Sequence, residues 1–179
     1  MVHLNGVIFL TLISNHIHCG TANAIDNMKE DALEVGLKNI VKCYAIRGFN
    51  AVVILVYIQF KILKDRNRVG VSVNIVSWGE HVKQIVRCHR VIEERARCYF
   101  AMLPFESLPK MMVAQLLITV TFYINAFVSM KGASKVLPPL TVIEGITLDY
   151  NLRFRVMYRE FYIPMKEHVM IRVRGQLIL

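Results

Sequence analysis

Two short groups of residues stand at spacings that could support metal or nucleophile chemistry. His16 and His18 are two positions apart, which places them on one face of a strand, and Cys19 follows directly. No second pair of ligands at zinc-type spacing follows in the sequence, so a surface or turn role is favoured over a metal site. Cys88 and His89 are adjacent in a predicted helix, but no local group would orient the base, so a structural role is favoured there too.

Positive charge is the stronger chemical signal. The chain has 22 Lys and Arg against 13 Asp and Glu, a formal net charge of +9, which predicts an anionic partner: nucleic acid or an acidic membrane surface. Four of the cations stand at helical spacing and could follow a phosphate backbone: Lys83, Arg87, Arg90 and Arg97. A solvated face is the alternative, because Glu93 and Glu94 stand four positions from Arg97 and Arg90. No base-reading or stacking array accompanies the stripe, so its binding is expected to be weak, non-specific and salt-sensitive.

The composition indicates one globular domain. A chain of 179 residues with 55% hydrophobic and 20% charged residues can bury a sizeable core, which excludes a disordered tail or a coiled coil. The four cysteines lie in unlike contexts without a CxxC pair, so we expect reduced thiols in an intracellular protein: Cys19, Cys43, Cys88 and Cys98. The apolar run Val7–Ile13 lacks the basic flank and the cleavage site of a signal peptide.

The elements that must position these residues follow from hydrophobic periodicity and turn residues. They are, in order, an antiparallel hairpin (Val7–Ser14 with His18–Ala24), a helix (Asp26–Ile46), two strands (Ala51–Ile58 and Val71–Ser77) and two helices (His81–Leu103 and Met111–Val128). The unbroken apolar run of Ala51–Ile58 is typical of a strand that is covered on both faces. This order predicts an α/β fold, a mixed sheet flanked by helices, as in ribonuclease-H-like domains.

Met111–Val128 raises the question of a membrane, because its eighteen residues carry no charge. A helix of that length spans roughly 27 Å, just short of a hydrocarbon core of about 30 Å. A buried core helix is therefore favoured. The alternative is a small basic membrane-associated protein with a single span near residues 111–128.

Five stretches then resemble, in the same order, the integrase region of copia-type LTR-retrotransposon polyproteins. They are NGVIFLTLISNHIHCGTANAI, YAIRGFNAVVILVYIQFKIL, SVNIVSWGEHVKQIVRCHRVIEERARCYFAMLPF, LLITVTFYINAF and LPPLTVIEGITLDYNLRFRV. The order of the stretches, rather than any single motif, carries the resemblance. It implies a ribonuclease-H-like integrase core over residues 1–158, followed by a divergent tail at 159–179. Intact members join DNA strands by transesterification, with a D, D, E triad that holds magnesium.

Each of the three triad positions lacks the carboxylate that the resemblance implies. The first Asp would stand on the strand leading into Asn5-Gly6, before Met1, so that strand is expected to be missing. The position of the second Asp is occupied by Tyr57, and the position of the Glu, immediately before Arg87, by Val86. Because two-metal chemistry needs clustered carboxylates, no catalytic residue, no metal ligand and no cofactor is assigned.

Four other carboxylates could replace the triad: Asp65, Glu80, Glu93 and Glu94. Asp65 lies beyond the strand end, and Glu93 and Glu94 lie roughly 10 Å along the helix from Val86. Glu80 stands at a helix start, where an acidic residue commonly complements the helix dipole. The resemblance therefore implies a degenerate integrase domain without enzymatic activity that retains non-specific DNA binding at most. Its oligomeric state is left open.

Overall fold

The computed structural model describes residues 1–61, 70–76 and 83–153, together with two strands at 160–164 and 170–174. Three of its strands form an antiparallel sheet in sequence order: β1 (Val2–Leu4), β2 (Val7–Ile13) and β3 (Gly20–Ile25). Asn5 and Gly6 connect β1 to β2 at φ angles of 46° and 76°, the left-handed conformation that a two-residue hairpin turn requires.

The pairing of β2 with β3 confirms the predicted hairpin. The strand leading into Asn5-Gly6, which was expected to be missing, is present over three residues as β1. β1 pairs with β2 from Val2 opposite Phe9 to Leu4 opposite Val7, and Val2 is buried.

Helix α1 (Glu30–Ala45) covers one face of this sheet. It lies within the predicted range Asp26–Ile46 and begins four residues later. Its buried side chains recur every three or four positions, so they form one stripe: Leu33, Leu37, Ile40 and Tyr44.

A second sheet contains two parallel strands, β4 (Val53–Val56) and β5 (Ser72–Ile75). Ile54 and Val56 of β4 are buried in the same hydrophobic cluster as Leu10 of β2 and the α1 stripe, which we call the α1-side cluster. Val53 and Leu55 remain 47% and 58% exposed. The prediction of a strand covered on both faces is therefore wrong for the described residues, because an apolar run shows that a strand can be buried but not which face is.

Two long helices cover the other face of the first sheet: α2 (Lys83–Ala101) and α3 (Lys110–Asn125). Their buried residues pack with Val2 and Phe9 in a second cluster: Ile92, Ala96, Val113, Leu117 and Val120. α3 is thus a core helix, as favoured from the sequence. Among the helices that the structure describes, none is long and apolar enough to cross a membrane, which corrects the alternative of a span near 111–128.

The chain ends in shorter elements. α4 (Pro139–Glu144) and α5 (Tyr150–Arg153) are followed by an antiparallel pair of strands, β6 (Glu160–Pro164) and β7 (Met170–Arg174). The division between residues 158 and 159 stays a prediction.

Candidate nucleic-acid interface

Tyr57 directly follows β4 and precedes a 3-10 turn, Ile58–Phe60. Its carbonyl accepts a hydrogen bond from Phe60 N at 2.9 Å, and its half-buried ring packs against the α1-side cluster. Tyr57 thus lies at the end of a strand, a position from which a side chain can extend into a binding or catalytic site. A phenol is nevertheless a poor substitute for a carboxylate, because magnesium is bound in proteins chiefly through carboxylate, phosphate and water oxygens.

Val86 lies in the first turn of α2 and is 49% exposed. Its side chain has no atom that could bind a metal or move a proton. In the described part of the chain, no group of three or more His, Cys, Asp or Glu side chains could hold a metal ion. Of the four carboxylates considered as replacements, Asp65 and Glu80 lie outside the described residues.

Glu93 and Glu94 instead pair with arginines on the same helix. Arg90 Nε lies 2.7 Å from Glu94 Oε1, and Arg97 lies 3.7 Å from Glu93 Oε2. The hydrogen bond and charge of Glu94 raise the pKa of Arg90. Both pairs are the i, i+4 interactions predicted from the spacing.

Lys83 and Arg87 differ from these two arginines. Both are exposed, and within the described ranges neither forms a salt bridge. They stand one turn apart, about 6 Å along the axis, at the N-terminal end of α2. That end has the positive pole of the helix dipole, so the strongest positive potential on α2 is expected there.

His89 anchors this end of α2 to the sheet. Its Nε2 shares a hydrogen bond with Thr11 Oγ1 on β2. Burial, assisted by the positive chain terminus, lowers the pKa of His89 to about 4, so the imidazole is neutral at physiological pH. Burial raises the pKa of the adjacent Cys88 thiol to about 11. A protonated thiol beside a neutral imidazole is the opposite of an activated nucleophile, which supports the structural role predicted for both residues.

The histidines near β3 lie in a turn. His16 and His18 fall between β2 and β3 rather than on one strand face, and His18 has a φ of 58°. Their predicted same-face placement was therefore wrong. Cys19 is buried, which raises the pKa of its thiol to about 12, so this sulfur is not poised to bind a metal as a thiolate.

Two polar side chains to which no sequence pattern assigned a role fix the backbone of this region. Asn125, at the end of α3, accepts a hydrogen bond from Gly20 N at 2.9 Å and donates one to Gly20 O at 2.6 Å. Tyr44, on α1, donates a hydrogen bond to Cys19 O at 2.8 Å. In the sequence, an Asn at the end of an apolar helix could have indicated that Asn125 makes such a contact. It does not identify Gly20 as the partner.

No protein-family model matches the chain, and neither does any curated protein sequence. A solved structure does match: the crystal structure of the catalytic core domain of BIV integrase, with a TM-score of 0.55. The chain has the fold of an integrase core. The match covers 79% of this chain and 88% of that chain at 12% sequence identity.

An identity of 12% shows the fold alone. It confirms the fold class predicted from the sequence, an α/β ribonuclease-H-like sheet flanked by helices. The copia-type origin and the loss of activity stay predictions. The same is true of the assignment of Lys83, Arg87, Arg90 and Arg97 to nucleic-acid binding.

Proposed function

We propose that this chain is a nucleic-acid-binding domain derived from a copia-type retrotransposon integrase, and that it does not transfer DNA strands. One observation carries the proposal: in an integrase-like fold, Tyr57 directly follows β4 and Val86 lies in the first turn of α2. These are the positions at which the sequence resemblance expects metal-binding carboxylates. Neither side chain can hold the two metal ions that would stabilise the attacking and leaving oxygens.

The same replacements favour metal-independent binding of phosphates. A cluster of carboxylates repels a phosphate backbone until metal ions neutralise it, because like charges at close range are unfavourable. An apolar and an aromatic residue at two of these positions remove that repulsion. Lys83 and Arg87 then supply an attractive potential nearby along α2. The proposed binding is therefore insensitive to chelators, sensitive to salt and independent of base sequence.

A salt titration tests the binding. Association of a labelled DNA duplex is measured by fluorescence anisotropy at several salt concentrations, with EDTA present. The double variant Lys83→Gln, Arg87→Gln is expected to lower the slope of log K against log salt by about 0.9 for each lost phosphate contact. Arg97→Gln is the matched control, because this arginine already pairs with Glu93 and should change the slope less. Equal slopes for the wild-type protein and the double variant would contradict the interface.

A plasmid assay tests the absence of catalysis. The wild-type protein is expected to leave supercoiled plasmid intact in the presence of magnesium. A gain-of-function variant serves as the positive arm: Tyr57→Asp and Val86→Glu on a chain extended at its N-terminus by an Asp-bearing strand. Nicking by the variant alone would support loss of the triad. Magnesium-dependent nicking by the wild-type protein would refute the proposal.

A further inference from the structure

Glu94 lies on the same face of α2 as the cations of the proposed interface. At 3.6 residues per turn, five exposed residues fall within an arc of about 80°, which we call the basic face of α2: Lys83, Arg87, Arg90, Glu94 and Arg97. Glu94 stands about 6 Å further along the axis than Arg90. A phosphate backbone that followed this face beyond Arg90 would therefore meet a carboxylate, which repels it.

Glu94 is already paired with one of these cations. Its Oε1 accepts a hydrogen bond from Arg90 Nε at 2.7 Å, and the side chains are 53% and 80% exposed, respectively. Exposed pairs of this kind add little to stability, so the contact can open while the helix stays folded. A phosphate that binds Arg90 must nevertheless displace the carboxylate or share the guanidinium with it.

The second pair on this helix differs in its geometry and its position. Arg97 lies 3.7 Å from Glu93, and Glu93 is half-buried rather than exposed. Glu93 lies about 100° round the helix from Glu94, towards the buried face. Glu93 therefore lies beside the basic face, whereas Glu94 lies within it.

We propose that Glu94 is an intramolecular competitor of phosphate, which limits the phosphate-binding part of the basic face to Lys83 and Arg87. In the free protein Glu94 holds Arg90, so the positive charge of this arginine is neutralised. Removal of the carboxylate would release Arg90 and lengthen the phosphate-binding part from about 6 Å to about 10 Å along the axis. This role of Glu94 rests on the proposed binding of nucleic acid and concerns its regulation.

A salt titration of the full chain with the same labelled duplex tests this role. Glu94→Gln is expected to gain one phosphate contact, so the slope of log K against log salt becomes steeper by about 0.9. If that contact is neutral at 1 M salt, the affinity at 0.1 M salt rises about eightfold. Gln has nearly the same size and helix propensity as Glu, so the helix content read by circular dichroism should not change.

Two controls separate the release of Arg90 from a change in net charge. Glu34→Gln removes the same charge and breaks the same kind of pair, since Glu34 lies 2.6 Å from Lys38, but it does so on α1, across the sheet. This variant is expected to leave the slope unchanged. In the background Arg90→Gln, the further change Glu94→Gln is expected to give a much smaller gain, because Arg90 is no longer present to be released.

Two results would contradict this role of Glu94 and leave the proposed binding intact. One is an unchanged slope in Glu94→Gln while the wild-type protein binds through Lys83 and Arg87. The other is a gain that persists in the Arg90→Gln background or is matched by Glu34→Gln, because charge alone would then explain it. Absence of DNA binding by the wild-type protein and by every variant at low salt would instead refute the proposed function, and this role with it.

Discussion

The side-chain amide of Asn125 forms hydrogen bonds with both backbone polar groups of Gly20, although 105 positions separate the two residues. The amide oxygen accepts from Gly20 N, and the amide nitrogen donates to Gly20 O. Asn125 is 4% exposed, so the contact is shielded from water. It joins the end of α3 to the start of β3, where Gly20 pairs in register with Ile13 of β2 but points its own N–H and C=O away from that strand.

Replacing Asn125 by Ala is expected to destabilise the fold strongly. The change leaves the N–H and C=O of Gly20 buried without partners, and each unsatisfied group costs roughly 1–3 kcal/mol. We therefore expect the free energy of unfolding to fall by about 2–4 kcal/mol, measured by urea denaturation. Asn27→Ala is the matched control, because Asn27 also bonds a backbone N–H, that of Lys29, but at the surface. Similar losses in the two variants would show that burial of the Gly20 contact is not what matters.

The cysteines should divide into two reactive classes. Burial raises the pKa of the thiols of Cys19 and Cys88 to about 12 and about 11, so both stay protonated and shielded at pH 8. Cys43 and Cys98 are exposed and free. Iodoacetamide at pH 8 is expected to modify Cys43 and Cys98 first, as read by mass spectrometry of peptides, because the thiolate is the reacting form.

Unfolding supplies the control for this labelling. In urea, all four cysteines are expected to react at similar rates, because burial no longer separates them. Early modification of Cys19 in the native protein would contradict the burial of this side chain directly before β3. Since Tyr44 and Asn125 both fix the backbone around Cys19, the variant Asn125→Ala should also speed its labelling.

The parts of this molecule that follow local rules could be predicted from the sequence. The helix at Lys83–Ala101 and the pairing of Arg90 with Glu94 both follow from intervals of three or four residues. The hairpin of β2 and β3 follows from two β-rich runs joined by a short polar break.

Long-range features could not be predicted in the same way. The partner of Asn125 is 105 positions away, and no local pattern encodes it. The exposure of Val53 and Leu55 depends on which elements lie above β4, whereas their apolar character records only that the strand could be buried. The same limit applies to the candidate site. Tyr57 and Val86 were located by resemblance, and spacing alone would have given them no role.

His89 should make stability depend on pH. Burial, and secondarily the positive chain terminus, lower the pKa of His89 from 6.5 to about 4 in the folded protein. The neutral imidazole is therefore favoured by folding. Its contribution is complete above the unfolded pKa of 6.5 and is lost as the pH falls towards 4. The ring is only partly buried, so after allowance for solvent screening we expect a loss of about 1–2 kcal/mol in the free energy of unfolding between pH 7 and pH 4.5.

The variant His89→Asn tests this assignment. Asn keeps a polar group near Thr11 but does not titrate, so urea denaturation of the variant should show a flatter dependence on pH between 7 and 4.5. His3→Asn is the control, because His3 is exposed on β1 and its replacement should leave the wild-type dependence intact. An unchanged pH dependence in His89→Asn would mean that the carboxylates, whose ordinary pKa values lie near 4, cause the acid destabilisation. Flattening in His89→Asn alone would show that the junction of α2 with β2 is pH-sensitive, because the Thr11 hydrogen bond belongs to that junction.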